Sequence, residues 1–81
     1  MSRAYDHYSV SYELAKLLRE EGYDNWSQRI EVEISGGFTA TEILMSLRSV
    51  LLKLKSEKVE LSHTSRSLLN QLLAEIESSL H

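Results

Sequence analysis

A single antiparallel bundle of four helices, an all-α fold, is what this sequence predicts, and three observations carry it. Apolar residues recur three and four apart along most of the chain, the spacing of one helix face. Glycine is confined to positions 22, 36 and 37 and proline is absent, so the breaks fall between segments of ordinary helix length. A complete helix-start cassette, Phe38-Thr39-Ala40-Thr41-Glu42-Ile43, then divides the 81 residues into two helical halves. In that cassette Thr39 is placed to cap the N–H of Glu42, Glu42 to reach back to the N–H of Thr39, and Phe38 to staple onto Ile43. Helices are expected at about residues 8–21, 25–35, 40–57 and 63–80, in one domain spanning 1–81.

The first helix is drawn by Val10, Leu14, Leu17 and Leu18, and Gly22 stands where a C-cap glycine belongs. Tyr23-Asp24-Asn25 offers the next N-cap, with Asn25 and Gln28 as a second possible capping box. The following segment has two readings. Trp26, Ile30 and Ile34 share a helical face, while Ile30-Glu31-Val32-Glu33-Ile34 also alternates as a strand would. Helix is preferred, because a lone strand has no partner in this chain and an isolated hairpin would be marginal. The strand reading requires two copies pairing across a dimer axis. In the third helix Ala40, Ile43, Leu44, Leu47, Val50, Leu51 and Leu54 form the stripe, with Met45 and Leu52 on a second edge. That stripe is wider than one neighbour covers. Residues 57–62 make the turn, with Ser62 or Thr64 as candidate caps, and Leu68, Leu69, Leu72, Leu73, Ile76 and Leu80 mark the fourth helix. Short connections make successive helices antiparallel.

A core of this size contributes only about 3–5 kcal/mol unless something staples it. The chain has no cysteine, hence no disulfide and no thiolate metal site. Its 14 Leu, 4 Ile and 4 Val are more than a small bundle hides, so a homodimer or a partner complex is expected. The N-terminal residues lack the apolar run of an export signal, and no stretch approaches the roughly 20 apolar residues of a membrane span. The expectation is a cytoplasmic protein that does not engage membranes. Residues 1–37 hold seven acids and four bases and residues 38–81 five of each, so the whole net charge of −3 sits in the first half. That distribution disfavours nucleic acid, which selects a clustered basic face, and favours a cationic protein partner.

Catalytic patterns are missing. His7, His63 and His81 lack metal-ligand spacing and read as solvated turn or terminal residues. None of the 13 serines sits in a Gly-x-Ser-x-Gly elbow. Gly36-Gly37 lacks the Gly-Lys-Ser/Thr ending of a phosphate loop. Lys53, Lys55 and Lys58 lie where cations offset the negative end of a helix macrodipole. The start of the third helix, Ala40 to Met45, carries none of the Arg, Lys, Asn or Gln that would read base edges. No enzyme, cofactor or metal is therefore expected.

Two features point to protein binding. Tyr5, Tyr8 and Tyr12 are spaced three and four apart, and Tyr12 lies about 200° around the helix from Val10. If the first helix reaches back that far, they form a row away from the leucine face, open to a partner or packed against the fourth helix or a second subunit. Such rows suit interfaces, since a tyrosine ring gives much contact area at low entropic cost. The second feature is acidic: Glu20 and Glu21 end the first helix, Asp24 follows, and Glu31 and Glu33 lie near the end of the second. Carboxylates at a helix C-terminus oppose the macrodipole, and residues set against local preference are functional candidates.

The string Leu17-Leu18-Arg19-Glu20-Glu21-Gly22-Tyr23-Asp24-Asn25-Trp26, with Ile30 one turn further on, resembles the opening helical hairpin of small bacterial proteins encoded beside polymorphic toxin genes. The resemblance covers residues 14–34. It implies an immunity protein, a cytoplasmic antidote that binds and blocks a toxin domain. By occlusion, Glu20, Glu21 and Asp24 would then pair with Arg or Lys in a toxin cleft and the tyrosines would act as anchors. A homo-oligomeric helical adaptor, docking through the third helix, is the alternative.

Overall fold

In the computed structural model, which describes residues 5–80, four helices follow one another: α1 (His7–Glu20), α2 (Asp24–Gly36), α3 (Ala40–Ser56) and α4 (His63–Leu80). No strand occurs among the described residues, and the alternating pentapeptide 30–34 lies inside α2. The exposure pattern shows why. A strand would place Ile30, Val32 and Ile34 on one face, but Ile30 is buried, Ile34 half-buried, and Val32 is 53% exposed.

Each helix packs against two neighbours, α1 on α2, α2 on α3, α3 on α4 and α4 on α1, which closes a four-sided bundle. The antiparallel sense of the α1–α4 pair is marked at both ends. His7, opening α1, meets Glu75 and Ser79 near the end of α4, and Glu21, just past α1, meets Ser62 and Ser65 at the start of α4. The core takes Leu14, Ala15 and Leu18 from α1, Trp26 and Ile30 from α2, Leu44 to Leu54 at helical spacing from α3, and Leu69, Leu72, Leu73 and Ile76 from α4. A fully buried leucine contributes about 1.5–3 kcal/mol relative to an exposed one. Ser11, Ser27 and Ser65 are buried among these leucines. Ser11 donates back to the carbonyl of His7 at 2.6 Å, whereas the Ser27 hydroxyl has no hydrogen-bond partner.

The helix ends correct several expectations. Asp6 caps α1 by accepting the Ser9 N–H at 3.0 Å, so the helix begins at His7 and Tyr5 lies outside it. At its other end Gly22 adopts φ +90°, with Tyr23 N–H donating to Leu18 O at 2.8 Å and Gly22 N–H to Arg19 O at 3.1 Å. This is the Schellman arrangement that the glycine foretold. The Asn25–Gln28 capping box does not form. Tyr23 occupies the N-cap position of α2 without a side-chain cap, because its ring packs on the core and its hydroxyl donates to Glu60 O at 2.6 Å. Thr39 caps Glu42 N–H at 3.1 Å as expected, but the Glu42 carboxylate receives the N–H of Phe38, not of Thr39. Phe38 does not staple. Gly37 lies so close to Ile43 that an added Cβ would stand 2.3 Å from its Cγ1, and the Phe38 ring is 95% exposed.

Candidate functional site

The eight residues singled out in the sequence separate into those held by the fold and those left exposed. Tyr5 is half-buried: it packs on the core and edge-on against His7 with ring centroids 5.1 Å apart, while its hydroxyl is buried without a partner. Burial, and then the nearby Glu75 carboxylate, raise its pKa. The continuous tyrosine row is thus broken, since the N-cap at Asp6 turns the chain before Tyr5 can join the helix. Tyr8 and Tyr12 remain exposed on α1. His7, read as solvated, is half-buried, with Nε2 3.0 Å from Ser79 Oγ and 3.4 Å from Glu75 O.

Among the acids, Glu21 is a structural clamp. Its carboxylate accepts the Ser62 N–H at 2.8 Å, the Ser62 hydroxyl at 3.0 Å, and the Ser65 hydroxyl. Ser62 in turn accepts the Ser65 N–H at 3.2 Å. A carboxylate that opposes the dipole of α1 therefore sits at the positive end of α4, where a negative charge is favourable. The Ser65 hydroxyl above all, then the Ser62 backbone, lower its pKa against a smaller desolvation effect. Glu31 is paired with Arg19 at 3.0 Å along the α1–α2 seam. Glu20 and Asp24 are exposed around the first turn, and Glu33 is half-buried.

Glu33 belongs to a surface that sequence reasoning did not assemble. At the turn between α2 and α3, Val32, Glu33, Gly36, Gly37, Phe38, Glu42 and Met45 line one shallow groove. Val32, Phe38 and Met45 are 53%, 95% and 59% exposed, more than any other large apolar side chains described. A second groove runs on from Val32 and Glu33 past Arg29 and Asn25 to Val50. Arg29 lies over Trp26 with its guanidinium carbon 4.7 Å from the ring centroid, a cation–π contact. The result is three apolar side chains beside two carboxylates, Glu33 and Glu42. A signal for this surface was present in Met45 and Leu52, which fall on the edge of α3 away from its core stripe. The assumed staple concealed Phe38.

No three His, Cys, Asp or Glu side chains among the described residues are grouped to hold a metal ion, and no described helix is long and apolar enough to cross a membrane. No protein-family model matches the chain, and no curated protein or solved structure matches it.

Proposed function

We propose that this protein is a non-enzymatic binding module, an immunity-type antidote whose α2–α3 edge occludes a cationic toxin domain. The observation that carries the reading is Phe38, a phenylalanine presented almost wholly to solvent beside Val32 and Met45, with Glu33 and Glu42 alongside. Exposed aromatic and methionine side chains supply the anchors of an interface. The carboxylates beside them favour a partner rich in Lys or Arg and speed its encounter. The acidic first half of the chain and the resemblance of residues 14–34 to immunity proteins point the same way.

In this reading Tyr8, Tyr12, Glu20 and Asp24 are secondary contacts at most, and Tyr5, Glu21 and Glu31 hold the fold. The adaptor alternative draws on the outer edge of α3, where Met45 and Leu52 are exposed two turns apart. A growth-rescue assay separates the two. In this reading a toxin domain is encoded beside the protein, and co-expression with that domain should restore growth, while Glu33→Lys with Glu42→Gln, which keeps an acceptor for the Phe38 N–H, should abolish rescue at unchanged helix content. Full rescue by the double variant would remove the α2–α3 edge as the binding surface.

A further inference from the structure

At the opposite end of α3 the charge reverses. Where α3 turns into α4, a pocket of about 400 Å³ opens beside the core residues Leu54 and Leu69, presents half-buried Val59 and Leu61 as its apolar surface, and carries Lys55, Lys58 and Arg66 against a single carboxylate, Glu60. The described ion pairs are Arg19–Glu31 and Arg48–Glu77, so none of these three cations is neutralised by a bonded carboxylate. In a chain of net charge −3 this is a local excess of positive charge beside an apolar surface.

Lys55 has an ordinary explanation, in the last turn of α3, where a cation offsets the macrodipole. The charge of Lys58, just past that turn, has the same explanation, but its backbone conformation and the placement of Arg66 do not. Lys58 has φ +53°, the one positive φ among the described non-glycine residues, at a helix end where the corresponding turn after α1 uses Gly22. A lysine in the left-handed region is strained where glycine would not be. Arg66 stands close to the start of α4, where a cation opposes the dipole. Two residues set against local preference therefore line the same pocket, and such conflicts mark functional positions. The rim is also held in place before any ligand arrives: Tyr23 bonds the carbonyl of Glu60, and Glu21 bonds the N–H of Ser62. Prior ordering of this kind lowers the cost of binding.

We infer that this pocket binds a small amphiphilic anion, an acyl carboxylate whose chain lies against Val59 and Leu61 and whose head meets Lys58 and Arg66. The volume lies within the range of small-ligand sites, and a guanidinium matches a carboxylate in two parallel hydrogen bonds. The site is separate from the α2–α3 edge and independent of the antidote reading.

Octanoate, titrated below its micelle concentration into the ¹⁵N-labelled full chain, is the direct probe, with octanol and sulfate as controls. Saturable one-to-one binding is expected, with amide shifts centred on residues 54–61 and 66–70 and octanol and sulfate weaker by about tenfold or more. Lys58→Gly should raise Tm by a few degrees and weaken octanoate by about tenfold; Arg66→Gln should weaken it similarly. Octanol binding as tightly as octanoate, shifts spread over the whole bundle, or unchanged affinity in both variants would overturn the assignment.

Discussion

Glu21 shows how one side chain changes meaning when a distant segment arrives. Read locally, it is a carboxylate at the wrong end of α1; in the fold it joins the ends of α1 and α4 through Ser62 and Ser65. Its lowered pKa has a consequence of definite sign. The stabilisation is fully present above the ordinary glutamate range and is lost as pH falls below about 4.5 and through the lowered folded value. Glu21→Gln should therefore cost about 1 kcal/mol at pH 7, less than the roughly 1.5–3 kcal/mol of a hydrogen bond to a charged group because the site is partly solvated. It should also flatten the acid limb of the stability curve. Urea melts at pH 7 and pH 3.5 check both, and an unchanged difference between the two pH values would contradict the clamp. None of this was legible in the sequence, because the serines that receive Glu21 lie 41 and 44 residues away.

The helices themselves were legible. Leucine spacing in α3 and α4 repeats often enough that periodicity alone locates both, and α4 spans the expected 63–80. Gly22 and Thr39 perform the capping roles that their residue types imply. What failed was side-chain geometry at the turns, where several local motifs compete for the same few atoms. The cassette at 38–43 contained a possible staple, but the approach of Gly37 to Ile43 takes up the space the Phe38 ring would need. Gly37→Ala should accordingly cost about 1–3 kcal/mol through overpacking against Ile43, without changing ligand-free helix content. Thermal denaturation followed by circular dichroism measures it. A Tm equal to that of the unchanged protein would show that Ile43 yields freely.

At the scale of the molecule, the two ends of α3 are set up for different chemistry. Its 17 residues span about 25 Å at 1.5 Å per residue. One end adjoins the acidic, apolar edge around Phe38, and the other the cationic pocket around Lys58. A net charge of −3 conceals this separation, which is why composition alone pointed to an acidic partner-binding protein without locating the face. The five acids proposed from the sequence include Glu33, which does lie in the exposed groove, and Glu21 and Glu31, which the bundle uses for itself. Tyrosine spacing likewise gave two exposed rings and one that packs. In the reading proposed above, the α2–α3 edge depends on Phe38 more than on any of them. Isothermal titration of the toxin domain that this proposal requires into the full chain and into Phe38→Ala tests it most directly. A one-to-one complex should form, weakened by about 2 kcal/mol or more in the variant, the size of a hot-spot loss, with an unaltered circular dichroism spectrum. Equal affinity for the two proteins would contradict a binding edge built around Phe38.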